Sequence, residues 1–183
     1  IASVEINDSN AFDIKPLTTT GGLTVTAGGN ITDSGTVSVG GALAVTTDAS
    51  SGSIDLGDLE VNGTIALTTH SGGAATVVND AVINFATSTV GGALSATATA
   101  GNIIDTGVLT ITGASTFTVA DGRSITLGSD NTFSSTVTFA ASAGTIASVE
   151  INDSNALDLG TLTTTGNLTV TAGGNITDSG TVT

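Results

Sequence analysis

The sequence predicts an all-β fold, a right-handed parallel β-helix (β-solenoid) of about 20-residue coils. Three observations predict it: a composition rich in strand formers, a near-identical internal duplication, and a shorter glycine-punctuated repeat inside that duplication. The 183 residues include 25 Gly and one Pro, with no Cys, Met, Trp or Tyr. Charged residues make up 10% and hydrophobic residues 39%. Disordered chains are poor in β-branched residues and rich in charge, whereas Val, Ile and Thr, abundant here, suit a pleated, half-buried surface. Two cations, Lys15 and Arg123, stand against sixteen acids, giving a net charge of −14. Neutralising phosphates takes clusters of Lys and Arg, so nucleic acid is excluded as an expected partner and anionic membranes are disfavoured. Without Cys there is neither a disulfide framework nor a thiolate metal site. No apolar run reaches the ~18 residues that span a bilayer. The chain opens on Ile1 with no signal-like segment, and an internal piece of something longer is expected.

The duplication organises the chain. Ile1 through Ala11 recurs without change as Ile146 through Ala156, and Leu23 through Val37 recurs as Leu168 through Val182, an offset of 145 residues (146 − 1). Six positions differ over the overlap: Phe12/Leu157, Ile14/Leu159, Lys15/Gly160, Pro16/Thr161, Gly22/Asn167 and Ser38/Thr183. Residues 1–145 therefore read as one long tandem repeat, and residues 146–183 as the start of the next, continuous with the first.

Within it, Gly21-Gly22-Leu23-Thr24-Val25-Thr26-Ala27-Gly28-Gly29-Asn30-Ile31-Thr32-Asp33-Ser34-Gly35 is the clearest short unit. It reads as a glycine turn, an alternating strand, a Gly/Asn turn, a second strand and an Asp/Ser/Gly turn. Alternation gives one apolar and one hydroxyl face. Related units open at Gly40 and Gly91, and the latter closes with Gly101-Asn102-Ile103-Ile104-Asp105-Thr106-Gly107. Equivalent starts fall at residues 21, 40 and 62 and again at 91, 112 and 134, spacings of 19 to 22 residues. The intervals from 62 to 91 and from 134 to 166 are longer, and an inserted loop or an extra strand is expected in each. A single unit cannot bury its apolar face alone, whereas stacked coils bury a continuous core. At about 4.8 Å per coil, six or seven coils make the long repeat roughly 30 Å long. Glycines at the corners are expected to supply positive φ, and Asn30, Asn102 and Asn175 fall at corner or ladder positions. Phe12, Phe85, Phe117, Phe133 and Phe139 are expected to stack inside the coils.

The unit from Gly21 to Gly35 resembles the repeats of filamentous haemagglutinin-type proteins of Gram-negative bacteria, with its Leu-x-Val-x-Ala-Gly-Gly-x-Ile-x-x-x-Gly phrasing. The resemblance covers residues 21–45, 91–111 and 166–183 best. It implies a β-helical shaft exported through the outer membrane to the cell surface, with roles in adhesion or biofilm.

No catalytic, cofactor-binding or metal residue is assigned, and no cofactor is expected. His70 sits in the turn-like Thr69-His70-Ser71-Gly72 with no second His or Cys to complete a metal site, and reads as a solvated loop residue. Asp55, Asp58 and Glu60 form the one carboxylate cluster that a carbohydrate-cleaving β-helix could use, with Asp58 and Glu60 on one outward face. The chain has no Trp or Tyr to stack on a sugar and two cations to grip an acidic one, so solvated acids are the preferred reading. Asn7-Asp8-Ser9-Asn10, Asp121-Gly122-Arg123 and Ser129-Asp130-Asn131 offer oxygens but match no calcium-loop spacing. Outward Thr pairs such as Thr24/Thr26, Thr97/Thr99, Thr136/Thr138 and Thr169/Thr171 resemble the hydroxyl arrays of ice-binding solenoids. Variable coil lengths, with Ala44 and Ser95 in the place of Thr24, argue against that use. The expected role is an extracellular structural or adhesive shaft whose partners are further copies of itself, stacked end to end, and surface glycans. A carbohydrate-active enzyme and an ice-binding solenoid are the alternatives.

Overall fold

The computed structural model describes all residues from Ile1 to Thr183. The chain is all β: 22 strands lie in two 11-stranded sheets, and the pairings between neighbouring coils are parallel. It winds as a β-solenoid of about nine coils of roughly 20 residues, as the repeat predicts. Each coil contributes one narrow strand to one wall and a broader, bent stretch to the other. No helix is long and apolar enough to cross a membrane.

The walls exchange roles along the rod. In the first three coils the first wall is narrow, built from the five-residue strands Val4–Asp8, Leu23–Ala27 and Leu43–Thr47. The second wall is broad, carrying Phe12–Ile14 with Leu17–Thr19, then Ile31–Asp33 with Val37–Val39. The eight-residue strand Ile54–Val61 spans both short strands beneath it, pairing Ile54 with Ile31 and Leu59 with Val37. Its far edge receives a single five-residue strand, Ala75–Asn79, through a register shift after Val77. From that point the second wall is narrow and the first is broad, holding Ile83–Phe85 with Ser88–Val90 and then Ile103–Asp105 with Leu109–Ile111. The nine-residue strand Ile125–Phe133 spans that pair and narrows the wall again to Val149–Asp153.

This exchange explains the two long intervals. Each holds an additional strand, half a coil, rather than an inserted loop, and it moves the glycine-led strand from one wall to the other. Leu94–Ala98 is the counterpart of Leu23–Ala27, 71 residues on (94 − 23), and it lies in the opposite sheet. The 145-residue repeat is thus two units of about three and a half coils, related by a half-turn around the rod. Seven coils restore the original wall, placing Val149–Asp153 where Val4–Asp8 stood.

Inward positions of both walls join in one core of 39 buried residues running the length of the rod. Phe117 is its aromatic centre. Its ring lies edge-on to Phe85 at 6.4 Å and to Phe133 at 6.1 Å, and stacks on Phe139 at 6.0 Å. Phe12, on the first coil, is only half-buried and joins no aromatic contact. The expectation for the corner glycines needs correcting. Positive φ occurs at Gly72, Gly122 and Gly144 and at one non-glycine, Ser51, but not in the unit-opening corners Gly21-Gly22, Gly40-Gly41 and Gly91-Gly92. Those corners are glycine because successive coils approach too closely for a side chain. A Cβ on Gly63 would lie 2.3 Å from the Gly41 carbonyl oxygen, and one on Gly41 would lie 2.9 Å from the Gly21 carbonyl carbon.

Candidate functional surfaces

The carboxylates singled out in the sequence lie on the outer surface of Ile54–Val61. Asp55, Asp58 and Glu60 are all exposed, with Asp58 and Glu60 on the outward side as alternation requires. Each of that pair is held by a hydroxyl of the coil below: Thr36 donates to Asp58 Oδ2 at 2.7 Å, and Ser38 donates to Glu60. They form part of a hydroxyl–carboxylate ladder on the flank of the rod. Asp158 belongs to the same kind of ladder. Thr136 donates to its Oδ2 at 2.7 Å, Ser179 to the same oxygen at 2.8 Å and Thr177 to its Oδ1 at 3.2 Å. These donors, Thr136 foremost, favour the ionised form and hold its carboxyl below the usual range. Asp13, its counterpart 145 residues earlier, is held low chiefly by the Lys15 ammonium, which also reaches Ser34. His70 is exposed in a turn, where its carbonyl accepts from Gly73 N–H at 2.9 Å.

The loop oxygens that matched no calcium-loop spacing are engaged by the backbone. Asp8 Oδ1 accepts the Asn10 N–H at 2.8 Å, and Asp121 Oδ1 accepts the Thr145 N–H at 2.9 Å. Asn131 is buried, its Oδ1 accepting from Leu109 N–H at 2.7 Å. No group of three or more His, Cys, Asp or Glu side chains converges anywhere on the chain.

Outward hydroxyls do line up across coils, in spite of unequal coil lengths. In the second wall Thr76, Ser95, Thr116 and Thr138 form one column, and Val78, Thr97, Thr118 and Ala140 form the next. The additional residues of longer coils are absorbed in turns, so register survives. The first column carries hydroxyls throughout, whereas the second begins at Val78 and ends at Ala140.

The polar positions that sequence reasoning missed are structural clamps. Asp33 accepts the N–H groups of Gly57 and Asp58, both at 2.9 Å, where Ile54–Val61 bulges. Asp105, 72 residues later (105 − 33), does the same for Gly128 at 2.9 Å and Ser129 at 3.2 Å, and also receives Asn131 Nδ2 at 2.7 Å. Asn30 and Asn102 sit on the ladder positions expected of them, accepting the N–H of Ser53 at 3.0 Å and of Ser124 at 3.1 Å. The Asn-Ile-x-Asp string that ends the units opening at Gly21 and Gly91 therefore anchors the long strand of the next coil. Its recurrence at Asn30–Asp33 and Asn102–Asp105 was the signal available.

A rod with a continuous apolar interior, polar clamps at its wall exchanges and hydroxyl–acid ladders outside defines a tandem-repeat β-solenoid. The chain belongs to the family described as repeats of unknown function (DUF5649), whose model matches residues 2–68, 72–140 and 146–183. The three matches begin 70 and 74 residues apart (72 − 2 and 146 − 72), so the family's unit is the half-repeat that turns the rod by half a coil. No curated protein and no solved structure matches the chain.

Proposed function

We propose that this chain is a length of structural or adhesive shaft in an extracellular bacterial fibre, comparable in role to the filamentous haemagglutinin-type shafts that its glycine-led units resemble. The observation that carries the reading is the junction between copies. Ile125–Phe133 of the first copy pairs with Val149–Asp153 of the second by the same parallel ladder and inward alternation that join coils within a copy. Copies added in tandem therefore prolong one rod and one core rather than adding separate globular domains. The net charge of −14 keeps neighbouring rods apart, and the outer hydroxyl and acid ladders offer surface glycans a polar, uncharged-to-acidic face. The rod needs no catalytic site to perform this task. The test is electron microscopy of the native assembly on intact cells, with antibody labelling of the repeat. Labelled rods or fibres projecting from the surface support the proposal; label confined to the cell interior, or to globular particles, overturns it.

A further inference from the structure

We propose that the fold is built for a protonated Asp153, so that each junction between 145-residue copies is an acid-strengthened joint that loosens as pH rises. Asp153 ends the first strand of the second copy, Val149–Asp153, and its side chain points into the rod, 1% exposed. Oδ1 accepts the Phe133 N–H at 3.1 Å and lies 3.5 Å from the Asn155 N–H. Oδ2 is buried and has no hydrogen-bond partner.

The chain contains its own control for this position. Asn79 ends Ala75–Asn79, the counterpart strand 74 residues earlier (153 − 79), and it is equally buried. Its Oδ1 accepts the Val61 N–H at 2.8 Å, as Asp153 Oδ1 accepts from Phe133. Its Nδ2, however, donates to the carbonyls of Val61 at 3.1 Å and Val82 at 2.8 Å. The site is thus shaped for one acceptor and one donor. A carboxylate supplies two acceptors and leaves the second without a hydrogen; a carboxylic acid restores the donor.

The surrounding charges favour the same form. The strand below, Ile125–Phe133, contributes Asp130. On its own strand Glu150 faces outward, the next strand of the coil contributes Asp158, and Leu168–Ala172 and Val137–Ala141 contribute no ionisable group. None of these strands carries Lys or Arg. Burial, the larger cause, and then the charge of Asp130 raise the Asp153 carboxyl above the usual carboxylate range, against the lowering effect of its backbone donors. Because the folded value lies above the unfolded one, the stabilisation is complete below the unfolded value of ~3.9 and is lost as pH rises through the folded value.

Thermal unfolding of the full chain tests this with two reciprocal variants, Asp153→Asn and Asn79→Asp. At about pH 7, Asp153→Asn should unfold a few degrees above wild type, and the gap should shrink at about pH 3.5, where the wild-type acid is mostly neutral in both states. Asn79→Asp should unfold below wild type at about pH 7 and recover towards it at about pH 3.5. A gap of the same size at both pH values, or an Asp153→Asn midpoint at or below wild type at neutral pH, overturns the proposal. So does calcium chloride raising the wild-type midpoint at about pH 7 while leaving Asp153→Asn unmoved, since the buried group would then be an ionised cation ligand.

Discussion

At the residue scale the rod depends on a few side chains placed where backbone geometry changes. Phe117 touches three other rings in the core. Phe117→Ala is expected to cost about 3–5 kcal/mol, read as a lowered unfolding midpoint, because backbone ladders on both sides prevent the coils from collapsing into the cavity. Asp105 is smaller but equally specific, one carboxylate holding two bulge N–H groups and a buried amide. Asp105→Ala leaves those donors unmatched and should cost about 1–3 kcal/mol by denaturant unfolding near neutral pH, with the outward Asp55→Ala as a near-silent control. The residue types were legible in the sequence; these roles were not. Thr47 and Thr69 show why: they alternate into the wall like apolar residues, and their hydroxyls are satisfied by the carbonyls of Gly52 at 3.1 Å and Gly73 at 2.6 Å. A threonine with a local acceptor is buried as readily as valine, and only the turn geometry provides the acceptor.

At the scale of the element, the corners govern which strands can stack. The Gly21, Gly41 and Gly63 corners lie one above another, and their close approach leaves no room for Cβ. Gly63→Val should therefore force the coils apart and destabilise by about 1–3 kcal/mol or more, because the atom it meets is backbone and cannot rotate away. Gly122 gives the contrasting case. Its φ is +67°, and a Cβ there meets nothing within 4 Å, so Gly122→Ala should cost only the left-handed strain, about 1–2 kcal/mol. Comparing the two by thermal unfolding separates close approach from backbone conformation as the reason for glycine. The sequence shows a single glycine in both roles; the distance to the coil below distinguishes them.

At the scale of the whole molecule, the half-coil offset gives the rod a two-fold screw character. Counterpart surfaces, such as Thr24 with Thr26 and Ser95 with Thr97, face opposite sides of the rod. With coils about 4.8 Å apart, the seven-coil repeat is about 34 Å long and the half-repeat about 17 Å. Averaged electron micrographs or fibre diffraction of tandem copies should show a strong axial spacing near ~17 Å and a weaker one near ~34 Å. A dominant spacing of ~34 Å with no half-order relation would mean that the two units are not structurally equivalent along the fibre.

The sequence by itself determined that the chain is β, that it is a solenoid of roughly 20-residue coils, and that its long repeat runs directly into the start of a second copy. Composition, alternation and repeat length are local properties, and each of them survives whichever wall a strand joins. Tertiary structure alone decided which wall that is. Leu23–Ala27 and Leu94–Ala98 carry the same pattern, yet pair in opposite sheets, because the number of coils between them is not whole. It also decided that Asn79 and Asp153, unremarked in the alternating pattern, stand at one equivalent buried position with different hydrogen-bonding capacity. A strand's face is written in its own residues, whereas its neighbour, and hence the partner of each inward polar atom, depends on where the preceding coils have brought the chain.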